Sequence, residues 1–316
     1  MKVKDIGEFG LIDRITKKPK DKDILVGIGD DAAVFKTTKG FQVLTTDCLV
    51  EGDHFRREWF SPVQIGMKAI EINVSDIAAM GAIPKYVLVS IALPRTIGVE
   101  FVDRLYEGLW KTCDKYKIEI IGGNMTHCEK IVISITLTGE VDKKNLCLRS
   151  GAKTGDFIFV SGKLGNGRAG LRLYQDEIMG FEKVKKNYLE PKAKLKTALD
   201  IAPFVNSMID VSDGLAPEIE HICTRSNCGA IIYKDKVPIS DEVREAAKRL
   251  EEDAYDYALF GGEDFELVYT VPKENFEKVN GFLVGEIIKD KKICLFSDGR
   301  EISIKDKGYD HFSRGI

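Results

Sequence analysis

The chain has 316 residues, 44% hydrophobic and 31% charged, enough to bury the cores of two domains. Its 47 Lys and Arg are interspersed with 50 Asp and Glu for a net charge of −3, so it lacks the basic field that nucleic-acid binding requires. No run approaches the ~18 apolar residues of a membrane span and no apolar stretch follows Met1-Lys2-Val3-Lys4-Asp5-Ile6, which points to a cytoplasmic protein without a membrane partner. Seven cysteines without a Cys-x-x-Cys pair read as reduced thiols, and Cys223 and Cys228 beside His221 lack a complete zinc ligand set.

Strand-like and helix-like segments alternate, which predicts mixed α and β structure. Residues 41–50 are β-prone, and in an extended strand Thr45 and Asp47 share a face while Thr46 points the other way. Ser61-Pro62 offers an N-cap and a first-turn proline for a helix over 63–79, stopped by Gly81 and Pro84. On it Lys68, Glu71 and Ser75 form a polar stripe expected to face water. Asp76 aligns instead with Ile65, Ala69 and Ile72 and is expected to point inwards, where a carboxylate needs a partner or a cation. A second helix over 101–116 leads into an apolar run at 118–121, then Gly122-Gly123-Asn124 and a β-like stretch at 130–137.

The polar, Gly-containing link at 149–156 marks a domain boundary, dividing the chain into 1–150 and 151–316. After a strand at 157–161, Gly165-Asn166-Gly167-Arg168-Ala169-Gly170 matches the dinucleotide-binding pattern formally. The acid-tipped second strand that this pattern needs is missing, because 182–200 reads as lysine-rich helix. A tight strand-to-helix turn, open to an anion at the helix N-terminus, fits better. A strand over 208–212 places Asp210 and Ser212 on one face, with Asp213 at the start of a helix as cap or ligand. A polar helix over 241–252 precedes Gly261-Gly262-Glu263-Asp264, where two glycines suggest a backbone turned tightly against a ligand.

Five acidic islands thus punctuate the chain: Gly29-Asp30-Asp31-Ala32-Ala33, Thr45-Thr46-Asp47, Ser75-Asp76, Asp210-Val211-Ser212-Asp213-Gly214 and Gly261-Gly262-Glu263-Asp264. Any one of them reads as a turn or a cap. Together they have the composition of a magnesium-phosphate site, since Mg2+ takes a carboxylate or two per ion beside substrate phosphates.

In this order the segments VGIGDDAAVF at 26–35, TTDCLVEGDHF at 45–55, NVSDIAAMGA at 73–82, IGGNMT at 121–126, RSGAKTGD at 149–156, DVSDGL at 210–215, FGGEDFEL at 260–267 and KGYDHF at 307–312 resemble the thiamine-monophosphate kinase family. That family lies within the aminoimidazole-ribonucleotide-synthetase-like superfamily, and the resemblance covers nearly the whole chain. It implies a two-domain α/β fold: an N-terminal domain that pairs with its twin in a homodimer β-barrel, a C-terminal α/β domain, and ATP in the cleft between them.

Carried over by position, the resemblance assigns Mg2+ to Asp31, Thr45, Thr46, Asp47, Asp76 and Asp210, with a further ion on Asp213. Asn124 stands where many relatives carry an acid; its oxygen can ligate, without formal charge. ATP contacts fall to Tyr106, Gly123, Asn124, Arg149 and Ser212, and thiamine phosphate contacts to His54, Glu263 and Tyr309.

The implied reaction is ATP-dependent phosphorylation of thiamine phosphate to thiamine diphosphate, assisted by several Mg2+ ions, in thiamine diphosphate biosynthesis. The acceptor is a phosphate monoester with a second pKa of about 6, so it is mostly dianionic at pH 7 and requires no general base. Repulsion between two anions obstructs the transfer, and positioning with charge neutralisation relieves it. No Gly-x-x-x-x-Gly-Lys-Ser/Thr loop occurs, which excludes an ordinary P-loop kinase. The alternatives are another ATP-using enzyme of the superfamily, of the purine-pathway cyclo-ligase type, and a non-catalytic nucleotide-binding scaffold.

Overall fold

The structure, a computed structural model, describes residues 12, 14, 21–37 and 40–304. Its first unit is a six-stranded sheet in the order β1-β2-β3-β6-β4-β5. The strands are β1 (Ile24–Val26), β2 (Ala33–Thr37), β3 (Gly40–Val50), β4 (Ile83–Leu93), β5 (Glu119–His127) and β6 (Val132–Val141). All neighbours are antiparallel except β4 and β5.

Two helices, α1 (Pro62–Ala79) and α2 (Val99–Tyr116), cover one face of this sheet. The expected start of α1 is present as a reciprocal cap: Gln64 N donates to Ser61 Oγ at 3.3 Å, and Ser61 N donates to Gln64 Oε1 at 3.0 Å. The two helices cross with their backbones in contact. A Cβ on Gly66 would lie 2.1 Å from Leu105 O, and one on Gly108 2.0 Å from Val63 O.

The second unit is a seven-stranded sheet in the order β13-β12-β9-β11-β7-β10-β8. It comprises β7 (Phe157–Val160), β8 (Ser207–Asp210), β9 (Gly229–Tyr233), β10 (Leu267–Val271), β11 (Phe282–Ile288), β12 (Ile293–Ser297) and β13 (Arg300–Ser303). With it go α3 (Asn166–Gln175), α4 (Glu182–Leu189), α5 (Leu195–Ile201), α6 (Leu215–Ser226), α7 (Asp241–Arg249) and α8 (Ala254–Phe260).

Two expectations of individual elements need correction. The helix expected over 182–200 is two helices, because Pro191 lacks the N–H that a continuous helix needs. The strand expected to reach Ser212 stops at Asp210, and the chain bends through Val211 to Gly214. Among the described residues the first sheet is open in a single chain, with β1 and β5 as its edges.

The polar stripe of α1 is also not wet. Lys68, Glu71 and Ser75 are at most 2% exposed, because α2 and the second unit pack over that side of the helix. Each polar group finds a partner there. Glu71 accepts from Lys115 Nζ at 2.7 Å, Tyr116 OH at 2.7 Å and Ala193 N at 2.8 Å. Ser75 Oγ donates to Asp210 at 2.6 Å and Lys68 Nζ to Glu263 at 2.7 Å. Helical periodicity identifies a polar side but not what will cover it.

Candidate metal and phosphate site

Four elements bring acids to one place where the two units meet. The turn before β2 carries Asp31, β3 carries Thr45 and Asp47, the last turn of α1 carries Asp76, and the end of β8 carries Asp210. One carboxylate oxygen each from Asp31, Asp76 and Asp210 lies within 4.8 Å of the others. The alternation of β3 holds as expected: Thr45 is buried and Asp47 half-buried on one face, while Thr46 and Cys48 are exposed on the other.

Local hydrogen bonds fix the cluster. Thr45 Oγ1 donates to Asp76 Oδ2 at 2.6 Å and Ser75 Oγ to Asp210 Oδ2 at 2.6 Å. Arg149 donates through Nη2 and Nε to Asp31 Oδ1, at 2.7 and 3.2 Å, while its main-chain N donates to the Asp30 carboxylate at 3.2 Å.

This set of charges is out of balance. Burial, and then the charges of Asp47, Asp210 and Asp31, push the Asp76 carboxyl well above its ordinary range. Burial, with Asp31 next, takes Asp210 up to about 8. Burial also raises Asp31 and Asp47, in Asp31 against the pull of Arg149. Asp31 Oδ2 is buried with no hydrogen-bond partner. Close carboxylates with a buried, unpartnered oxygen are the hard-oxygen donor set that Mg2+ takes, so the residues present fit that ion.

A cavity of about 1160 Å³ opens from the cluster. Asp31, Thr45, Thr46, Asp47, His54, Asp76, Arg149, Asp210, Ser212, Asp213 and Glu263 all line it. The Thr46 hydroxyl is turned to the other face of the sheet, donating to Ile135 O at 2.8 Å, so what Thr46 offers the cavity is main chain. His54 Nδ1 accepts from Val50 N at 3.1 Å, which orients its ring.

Tyr106, Gly123 and Asn124 are not brought to this lining. Tyr106 lies on α2, packed against the first core. Gly123 and Asn124 lie exposed in the edge strand β5, opposite Val89 and Ser90. Tyr309 lies outside the described residues.

The turn at 261–264 is pressed close, as its glycines suggest, but against the chain's own 210–213 bend. Gly262 has φ 74°, and a Cβ there would lie 2.4 Å from Ser212 O. Glu263 N donates to the same carbonyl at 2.7 Å. The anion at the N-terminus of α3 is also internal, since the Asp264 carboxylate accepts from Gly165 N at 2.6 Å and Gly167 N at 3.0 Å.

Sequence reasoning missed three features. Glu218, 2% exposed and facing the cavity, accepts through Oε1 from Asp213 N at 2.9 Å and from Ser212 N and Oγ at 3.3 and 3.2 Å. It fixes the bend that carries both residues. Its signal was an acid in the first turn after Ser-Asp-Gly, which reads equally as surface charge. Lys68 is the second. The third is an aromatic wall: Trp59 and Tyr188 line the cavity, and Trp59 stacks on Tyr174 at 5.5 Å with the Arg56 guanidinium 4.9 Å over its ring. Its members are scattered over both units and leave no local pattern.

Comparison with known proteins agrees with this arrangement. Residues 29–141 match the AIR synthase related protein N-terminal domain, and residues 153–293 the corresponding C-terminal domain. The chain is 39% identical to thiamine-monophosphate kinase of Aquifex aeolicus, over 99% of this chain and 100% of that protein. It is 35% identical to thiamine-monophosphate kinase of Bacillus subtilis, over 96% and 99%. A solved structure described as AaThiL complexed with AMPPCP and TMP superposes with a TM-score of 0.90 at 38% identity, covering 98% of this chain and 99% of that one.

Proposed function

The chain belongs to the thiamine-monophosphate kinase family, and we propose that it transfers the terminal phosphoryl group of ATP to thiamine phosphate, yielding thiamine diphosphate and ADP for thiamine diphosphate biosynthesis. One observation carries this reading. Carboxylates from both units converge on one cavity, in a chain whose full-length structural relative binds an ATP analogue and TMP.

Asp31, Asp47, Asp76 and Asp210, with Thr45, main-chain Thr46 and Asp213, would hold several Mg2+ ions, which when bound would neutralise the charge between donor and acceptor phosphates. Arg149 and Ser212 supply charged and neutral donors for the ATP phosphates. Arg149 is already oriented by its bonds to Asp31. His54, Glu263 and Tyr309 serve the thiamine phosphate end. An acceptor phosphate oxygen attacks the γ-phosphorus in line, and the bond from that phosphorus to the oxygen of the ADP leaving group breaks. The acceptor is already deprotonated, so these residues position and neutralise rather than remove a proton.

Two copies pair through the first sheet. The sheet face away from the helices and the edge strand β5 expose Leu44, Tyr86, Leu88, Ile121 and Met125, an apolar surface that a second copy would cover while closing the barrel. Such pairing gives Tyr106, Gly123 and Asn124 their role: they stand outside their own cavity and contact ATP held by the other copy, with Asn124 as an uncharged metal ligand.

The thiols, all free among the described residues, fit a reducing compartment such as the cytoplasm. No helix of the described residues is long and apolar enough to cross a membrane.

Incubating the purified protein with ATP, Mg2+ and thiamine phosphate, and resolving the products by chromatography, tests the reaction. Thiamine diphosphate and ADP are expected in equal amounts. A folded sample that forms no diphosphate contradicts the assignment.

A further inference from the structure

Lys68 lies in the middle of α1 and is 1% exposed, yet nothing in the reaction described above uses it. Its Nζ donates to Glu263 Oε1 at 2.7 Å and to the main-chain oxygen of His54 at 3.1 Å. It also stands 5.3 Å from the ring centre of Phe60 and 5.1 Å from that of Tyr188. Burying an ammonium is costly, and a well-packed apolar side chain in place of a buried ion pair is often as stable. Fold stability alone is thus a weak reason for a cation here.

Its partners supply a stronger one. Lys68 bonds to two residues assigned to the acceptor substrate, His54 from the first unit and Glu263 from the second. Glu263 is held at φ 56°, a left-handed conformation uncommon outside glycine, and its side chain is 30% exposed where it lines the cavity. One oxygen of that carboxylate is tied to Lys68. The same ammonium group also bonds the main chain of the His54 turn, so it touches both.

We propose that Lys68 is a positioning residue of the acceptor site: its ammonium joins the Glu263 carboxylate to the His54 turn across the two units, so that both meet thiamine phosphate in a single orientation. The inference rests on the assignment of His54 and Glu263 to that substrate.

Lys68→Met tests it, because methionine matches the lysine stem and is compatible with the flanking Phe60 and Tyr188 rings. The KM for thiamine phosphate should rise roughly 10- to 100-fold while the KM for ATP stays within about twofold. Glu263→Gln should raise the same KM, and adding Lys68→Met to it should worsen the result by no more than about twofold, because the lysine acts through the carboxylate. An equal rise in both KM values, multiplicative effects in the double variant, or a wild-type Lys68→Met enzyme would each overturn the proposal. Glu263→Gln with a wild-type KM would instead refute the assignment of Glu263, whatever Lys68→Met does. If Lys68→Met fails to fold, Lys68→Gln keeps an N–H donor at that position and should show the same KM split. Equal loss on both substrates in that variant overturns the role.

Discussion

At Asp76, burial and three neighbouring acids act in the same direction on one carboxyl group. Acids held this close destabilise the fold until a cation neutralises them, and a ligand that binds only the folded state raises its stability. Mg2+ is therefore expected to raise the melting temperature of the wild type. Asp210→Asn should melt higher than wild type without Mg2+ and gain less from adding it; an undiminished Mg2+ response in that variant would remove Asp210 from the site. Asp47→Asn and Asp76→Asn should stay folded and lose turnover by roughly 100- to 1000-fold, the scale on which a single electrostatic stabiliser matters. Wild-type rates in either would take that residue out of the cluster. The acids were readable because a strand's period of two placed Thr45 and Asp47 on one face from residue types alone. Lys68 was not, because lysine on a helix is ordinarily solvated, and its ion-pair partner Glu263 lies 195 residues away in the second unit that packs over it.

Elements set these side chains through their ends. β3 and β8 each deliver an acid to the meeting line, α1 delivers Asp76 in its last turn, and the Gly-rich start of α3 is held by Asp264. Burial pushes the Asp264 carboxyl from 3.8 up to about 7, against its bonds from Gly165 and Gly167. The sign follows from linkage. The folded state holds this proton more tightly than the unfolded chain does, so its contribution to stability is full below pH 3.8 and is lost as pH rises to about 7. Asp264→Asn keeps an acceptor oxygen without the charge. Its urea-unfolding free energy should fall less than that of wild type between pH 4 and 7; identical slopes would show that Asp264 does not titrate as described. The sequence exposed the turn before α3 and its readiness for an anion. It did not reveal that the anion is internal, because Asp264 lies about a hundred residues downstream.

For the whole molecule, alternation of strands and helices foretold the mixed α/β class, and the motif order foretold the family. The docking of the second unit on α1 was not legible, since a polar stripe on a helix looks the same whether water or a partner domain faces it. The proposed pairing of two chains would leave a readable mark only as exposed apolar residues on a sheet face. Light scattering is expected to give twice the mass of one chain. Replacing both Leu88 and Ile121 by Asp should yield a folded monomer with reduced ATP affinity, whereas a wild-type mass in that variant would place the interface elsewhere. The measurement that bears most directly on the converging carboxylates is anomalous scattering from crystals grown with Mn2+ in place of Mg2+, a non-hydrolysable ATP analogue and thiamine phosphate. Metal peaks bound by Asp31, Asp76 and Asp210 and bridging to the nucleotide phosphates are expected. Fully occupied nucleotide with no metal on those carboxylates would contradict the metal-assisted transfer proposed for this cavity.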